Sequence, residues 1–291
     1  DGTRETVEAR YGPRVDYRLF EEHVPYQKNI NRCLELMEAP AGLILHDDDM
    51  VDPDYAKVMA NALGSAPDAG LAICGVRMLH AQYSRHRAIR DRDPRKLVAP
   101  WRFWGRDRIV LHGGEFSRML IDVTARCPYW PSVAIRPEFI RRLGGFDTEM
   151  RTLFDYQMWI RAAAEAPVVL LKRTLCTYRF HGTNMTAELQ KPRTASFELD
   201  VLFMVQQGRK GGFPLAGTPK VRRQLLAKCL VSATREGEAS MRERYEEFRL
   251  AEYDDAPFEE LARLAISEHD KFSLWKATRR KLRRVLGRKS L

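Results

Sequence analysis

Three consecutive aspartates, Asp47, Asp48 and Asp49, stand directly behind the apolar run Leu43-Ile44-Leu45. Carboxylates crowded at the end of a buried strand repel one another and lose hydration, and both effects oppose their charged form. A strand end that keeps three of them is best explained by a counter-cation. Hard divalent ions such as Mg2+ and Mn2+ take oxygen ligands and bridge carboxylates to phosphate groups. On this reading the triplet is a metal-diphosphate site at the C-terminal edge of a sheet, where open α/β sheets place their ligands. The other reading is a solvated acidic turn, because Asp52-Pro53-Asp54 follows at once.

The surrounding pattern places the triplet on a strand-to-helix loop. Apolar residues at Ile30, Cys33, Leu34 and Met37 have helical spacing. Ala39-Pro40-Ala41-Gly42 breaks that helix, and residues 43–46 read as a short buried strand. Pro53 opens a further helix through Tyr55, Val58, Met59 and Leu63. Upstream, residues 3–11 read as a helix closed by Gly12-Pro13, and residues 15–19 alternate as a strand. Downstream, residues 71–76 form a continuous apolar run expected to be a buried strand.

The pattern dissolves between residues 80 and 110, an arginine-rich stretch with Trp101, Phe103 and Trp104 among the charges. Basic residues interleaved with aromatics suit a nucleic-acid patch. A long irregular insertion covering a cleft is the alternative and the preferred reading. Residues 131–135 then read as a strand, and Pro137 starts a short helix that Gly144-Gly145-Phe146-Asp147 ends. A helix begins near Phe154-Asp155, residues 168–171 form a strand, and residues 177–181 follow another break.

Two blocks carry a resemblance. Asn29-Ile30-Asn31-Arg32-Cys33-Leu34 with Leu43 to Tyr55, and Gly144-Gly145-Phe146-Asp147 with Asp155, Trp159, Arg161 and Tyr178-Arg179-Phe180-His181, resemble the inverting family-2 glycosyltransferases of the GT-A fold. The resemblance implies a Rossmann-like mixed sheet flanked by helices. It also implies transfer of a sugar from a nucleotide-sugar donor to a glycan or lipid-linked acceptor, with Mn2+ or Mg2+ as cofactor. Counting back from Pro53, Asp48 falls on the family's chief metal-binding aspartate, with Asp47 and Asp49 beside it. His46 falls where the first aspartate of the Asp-x-Asp motif stands. His46 either binds metal as neutral imidazole or merely ends the strand, and the second reading is preferred.

The resemblance makes Asp155 the catalytic base, although Phe154 replaces the usual preceding glutamate. A carboxylate beside Phe154 and near Trp159 would be partly desolvated, which lifts its pKa towards useful base strength. The alternative for Asp155 is an N-cap for a helix beginning at Tyr156. Asp47, Asp48 and Arg179 are expected to hold the nucleotide-sugar, and Asp48, Asp49 and His181 the metal. Arg179 could neutralise phosphate as a forked donor. His112-Gly113-Gly114 permits close approach to a ligand or is an ordinary turn.

A catalytic unit over residues 1–192 and a helical, basic extension over 193–291 are expected. The sequence opens Asp1-Gly2-Thr3, inside what resembles a family motif, so the resemblance implies that earlier strands contacting the base are missing. Residues 276–289 hold eight Lys or Arg and no acid. Such a segment suits reversible attachment to an anionic membrane surface, or is a solvated helix end. No apolar run approaches the ~20 residues that span a bilayer. The five cysteines are scattered without zinc spacing, as in a reduced cytoplasmic protein that is peripheral at most. The net charge of +10 favours anionic partners. Two rivals remain: a nucleotidyltransferase, which also uses strand-end aspartates, and a basic nucleic-acid-binding or scaffold protein. Nucleic acid is the less favoured partner.

Overall fold

The computed structural model describes residues 2–80, 98, 100–112, 114–121, 128–150 and 152–181, with Asp200, Met204, Arg242, Glu243 and Glu246 beyond them. Its strands are β1 (Gly42–Leu43), β2 (Met50–Val51), β3 (Leu71–His80), β4 (Arg108–Leu111), β5 (Val133–Ile135) and β6 (Val168–Phe180). Its helices are α1 (Thr3–Tyr11), α2 (Tyr26–Glu35), α3 (Tyr55–Gly64), α4 (Glu115–Ile121), α5 (Pro137–Arg142) and α6 (Phe154–Glu165). The six strands make one mixed sheet in the order β1-β5-β3-β6-β2, with β4 also paired to β6. Among the described residues only β3 and β6 run parallel; every other pairing there is antiparallel. The expectation of a mixed α/β sheet flanked by helices is met.

Strand periodicity sorts the core into two layers. Leu71, Ile73, Val133, Ile135, Val168 and Leu170 face one side, against apolar residues of α2, α4, α5 and α6. Ala72, Cys74, Ala134, Val169 and Leu171 face the other, against Tyr55, Met59, Ala62 and Leu63 of α3. Burial on both faces explains why the sequence of β3 is apolar without alternation. Helix ends are closed from a distance by arginines. Arg136 donates to the carbonyls of Leu63, Ala66 and Ala69 behind α3. Arg141 does the same for Leu34 and Met37 behind α2. Such bonds satisfy carbonyls that a helix terminus leaves unpaired.

Several expectations change. Of residues 43–46 only Leu43 is in a strand, β1, and the aspartates lie on a loop that joins β1 to β2 rather than a strand to a helix. Residues 15–19 are not a strand: Val15 and Leu19 are exposed and have no sheet partner, so their alternation has nothing to bury. Residues 108–111, expected to be irregular, are β4, because Ile109 and Leu111 find a buried face beside β6. Residues 168–171 and 177–180 are one strand. The polar residues between them sit where the β3–β6 register shifts, with Lys172 N–H bonded to Asp107 O at 2.7 Å and Arg173 paired with Asp54. Gly75 makes that irregularity possible, since a Cβ there would lie 2.5 Å from Thr174 Oγ1. In the expected insertion, Phe103 is buried while Trp101 and Trp104 are 70% and 87% exposed.

The segment 276–289 lies outside the described residues. Met204 and Asp200, beyond the expected boundary at 192, are buried, and Met204 belongs to the α2–α6 side of the core. No helix among the described residues is long and apolar enough to cross a membrane.

The Gly144-Gly145 turn is locked to α2 by Asn31. Both glycines have positive φ, 86° and 71°, a region that L side chains avoid. Asn31 donates from Nδ2 to Phe146 O and accepts from Phe146 N–H, both at 2.8 Å. A Cβ on Gly145 would stand 2.8 Å from Asn31 Oδ1. Asn31→Ala leaves two backbone groups of a buried residue unpaired and should cost about 1–3 kcal/mol. Urea denaturation measures this; an unchanged midpoint would show that the clamp is dispensable.

Candidate metal and acid-base site

The aspartates lie where β1 and β2, at opposite ends of the strand order, are joined. Residues 44–49 carry the chain between them past the C-terminal end of β6. Asp49 N–H closes a turn onto His46 O at 3.2 Å. This turn grades the triplet by depth: Asp47 is exposed, Asp48 half-buried and Asp49 buried. One short segment thus holds three carboxylates with different solvation, and they need not share one role.

The end of β6 braces the turn. Arg179 gives its backbone N–H to Asp49 Oδ1 at 3.2 Å and its Nε–H to Asp48 O at 2.7 Å. His181 Nε2 lies 3.0 Å from Asp48 Oδ2. Of the residues singled out from the sequence, Asp47, Asp48, Asp49, Arg179 and His181 therefore come together. Arg179 is seen holding the aspartate loop itself. His112 falls elsewhere: Leu111 pairs with Val168, at the opposite end of β6.

The other oxygen of Asp49 is informative. Oδ2 is buried and has no hydrogen-bond partner among the described residues. Burial pushes the Asp49 carboxyl up to about 6; the Arg179 N–H pulls it down, and Asp48 and Asp47 push it further up. An orphaned buried carboxylate oxygen is costly unless something cationic faces it. His46, Asp48 and Asp49 each place a ligand atom within 4.8 Å of the others. The donor set, two carboxylates and an imidazole, suits a divalent ion. Burial lowers the His46 pKa against the opposing pull of Asp48 and Asp47, which favours the neutral, ligating form.

Tyr26, at the start of α2, joins this cluster to α6. Its hydroxyl contacts His46 Nε2, and its ring meets Phe154 edge-on at 5.6 Å. Burial, then the charges of Asp155, Asp48 and Asp49, keep the hydroxyl protonated to high pH. The Tyr26 hydroxyl thus feels both Asp155 and the two inner aspartates, Asp48 and Asp49. No local pattern flagged Tyr26: it looks like an ordinary first residue of an amphipathic helix after Pro25.

Asp155 lies in the first turn of α6, not ahead of it. The helix starts at Phe154, and no side chain of its own segment caps it. Asp155 Oδ1 accepts the Tyr156 N–H at 2.7 Å. Asp200 braces the residues just before the helix: its Oδ2 accepts the N–H groups of Thr152 and Leu153 at 2.5 and 2.8 Å and the Thr152 hydroxyl at 2.9 Å. Asp155 thus accepts a first-turn amide from within the helix rather than from an N-cap position ahead of it. Burial raises the Asp155 carboxyl to about 7, opposed by the N–H groups of Tyr156 and Asp155 and assisted by Asp200.

No family model matches the sequence, and no curated protein does. Among solved structures, the chain is similar to S. aureus TarS 1-349, with TM-score 0.48, 15% identity, 86% of this chain and 79% of that chain covered. The same protein in complex with UDP-GlcNAc gives TM-score 0.48 and 13% identity over 93% and 80% of the two chains. The mannosyltransferase PcManGT from Pyrobaculum calidifontis, in complex with GDP-Man and Mn2+, gives TM-score 0.40 and 17% identity over 91% and 72%.

The shifted carboxyl of Asp155 has a measurable consequence for stability. Its folded pKa of about 7 lies above the ordinary 3.8, so the folded chain holds a proton that the unfolded chain has released. This contribution is complete below the unfolded value and is lost as pH rises through about 7. Asp155→Asn removes the dependence. Thermal melts from pH 5 to 8 should show the variant gaining on the wild type as pH rises. A pH-independent gap between the two would place the Asp155 carboxyl at an ordinary pKa.

Proposed function

We propose that the chain is a GT-A-type, inverting glycosyltransferase related to family 2. It would move a sugar from a nucleoside-diphosphate sugar to a hydroxyl of a glycan or lipid-linked acceptor. The observation that carries this reading is the pairing of two unlike carboxylate sites across Tyr26. One is the His46, Asp48 and Asp49 cluster with its orphaned buried oxygen. The other is Asp155, a carboxyl raised to about 7. A phosphate-binding cation site alone would suit a nucleotidyltransferase equally well; the raised carboxyl supplies the base that sugar transfer to a hydroxyl needs.

Asp48 and Asp49 would hold a divalent cation, Mn2+ or Mg2+, with His181 supporting Asp48. When bound, the cation neutralises charge on the departing nucleoside diphosphate. Asp47, exposed at the tip of the turn, and Arg179, beside the loop, are positioned to meet the donor. Asp155 accepts the proton of the acceptor hydroxyl at its carboxylate. Residues 1–192 form the catalytic unit in this proposal. Residues 193–291, apart from Asp200 and Met204, form a basic extension suited to an anionic membrane surface.

Two variants separate these roles. Asp155→Asn should lower kcat by ~10²-fold or more, the usual scale for loss of a general base, while donor affinity changes little. Wild-type kcat should fall with decreasing pH below about 7. Asp48→Asn should instead weaken metal-dependent binding of a nucleoside diphosphate by more than tenfold, as hard ions favour carboxylate oxygen. Calorimetry with UDP and GDP in Mn2+, followed by turnover of a panel of nucleotide-sugars, checks both. Normal turnover in Asp155→Asn would remove it as the base, and unchanged affinity in Asp48→Asn would remove that residue from the site.

A further inference from the structure

We propose that His46 is a metal ligand through Nδ1, held in place by Tyr26, and that it makes this site prefer transition-metal dications over Mg2+. The inference rests on the metal site described above and adds its ligand set and selectivity. The two ring nitrogens of His46 have different neighbours. Nε2 meets the Tyr26 hydroxyl, and Nδ1 faces Asp49 Oδ2 at 4.0 Å. His46 is also packed by rings, with Tyr26 edge-on at 5.7 Å and Trp130 at 5.8 Å. A ring fixed on two sides cannot readily turn to exchange its nitrogens.

A simple hydrogen-bonded chain from Tyr26 through His46 to Asp49 does not describe the geometry. At 4.0 Å, Nδ1 is too far from Oδ2 to share a proton with it. Oδ2 stays orphaned although the Asp49 side chain is wholly buried. One ion between the two atoms accounts for both facts. Atoms each bonded to one such ion at about 2.1 Å stand at most about 4.2 Å apart. When Nε2–H donates to the Tyr26 oxygen, Nδ1 presents a lone pair towards Asp49. Tyr26 is then a positioning residue, which fixes the tautomer and orientation of a ligating imidazole.

The charge balance points the same way. Asp48 and Asp49 with a neutral imidazole offset a dication, whereas a third carboxylate at position 46 would leave an excess negative charge in a buried turn. Asp47 lies on the exposed side, Asp155 lies beyond Tyr26, His181 sits at Asp48 Oδ2, and Arg179 is bonded to Asp48 O and Asp49 Oδ1. Mg2+ gains little from a nitrogen donor, while imidazole affinity rises along the series from Mn2+ to Co2+ and beyond. Replacing an oxygen ligand by imidazole therefore shifts the preference towards transition metals.

The test needs no sugar or nucleotide. Calorimetry of the full chain with Mn2+, Co2+ and Mg2+ should show Mn2+ and Co2+ binding at least tenfold more tightly than Mg2+. Pulsed EPR of the Mn2+-loaded chain should show modulation from a directly bound 14N nucleus. His46→Asp should remove that modulation and bring the Mn2+ and Mg2+ affinities within a few-fold of each other. Tyr26→Phe, a milder change, should weaken Mn2+ binding by roughly tenfold or more, the scale for a partner that orients a ligand. Absence of 14N modulation in the wild type, or its persistence in His46→Asp through His181, would overturn the assignment. So would an unaltered Mn2+ to Mg2+ ratio in that variant. Should the metal signature appear while no nucleoside diphosphate binds the loaded chain, His46 stands as a ligand and the transferase reading falls.

Discussion

The parallel pairing of β3 with β6 is the contact on which the other features depend. It runs the length of both strands and divides the helices between two faces, α3 on one and α2, α4, α5 and α6 on the other. Apolar residues on both faces of both strands make this pairing the centre of the core, and their burial supplies the main driving force for it. The pairing also sets where charged groups can stand. Past its register shift, β6 alternates buried Leu175, Cys176 and Tyr178 with half-buried Thr177 and Arg179, and its end delivers Arg179 and His181 to the aspartate turn. The site is therefore built on the end of the most firmly held strand, although the acidic residues themselves sit on a loop. A loop that must hold several carboxylates close together needs such a brace, because their mutual repulsion favours opening it.

What could be read from the sequence follows from the range of the interactions involved. Residues 3–11 were legible as a helix and 71–76 as a buried strand because local periodicity and adjacent breakers define them. The aspartate loop was legible because apolar residues, acids and Pro53 follow one another within a few positions. Residues 15–19 misled because alternation shows only that a strand is possible, while a strand also needs an edge to pair with. The single strand β6 was hidden by Lys172 and Arg173, whose polarity suits a register shift as well as it suits a loop. β4 was hidden by its shortness and by the arginine-rich residues before it.

The candidate site positions divide in the same way. Asp48, Asp49 and Asp155 could be named because their neighbours form patterns. Tyr26 could not, since its meaning comes from His46 across the fold. The bonds of Asp200 to Thr152 and Leu153 join segments that share no local signal, so what steadies the start of α6 shows only in the folded arrangement. Asn31 was legible as part of a motif, but the motif gave no hint that its side chain fixes the Gly144-Gly145 turn. A resemblance identifies positions; the bonds each position makes have to come from the folded arrangement.

The placement of Tyr26 also bears on how the two carboxylate sites act on each other. Its hydroxyl meets His46, and its ring packs against Phe154, the residue before Asp155. The negative charges of Asp155, Asp48 and Asp49 all act on that one hydroxyl. In a partly buried environment such charges also act on one another, with less screening than at a surface. Extra positive charge at the aspartate turn would ease ionisation of Asp155, and loss of it would make Asp155 hold its proton more tightly. A carboxyl near 7 is the group in which a modest change of this kind alters the fraction ionised at neutral pH. A cation held at the aspartate turn, as proposed, would therefore favour the ionised form of Asp155 through space, with Tyr26 as the apolar body and polar tip between the two sites. Phe154, which stands where the resemblance expects a glutamate, keeps a further negative charge out of that linkage and leaves burial as the chief cause of the Asp155 shift.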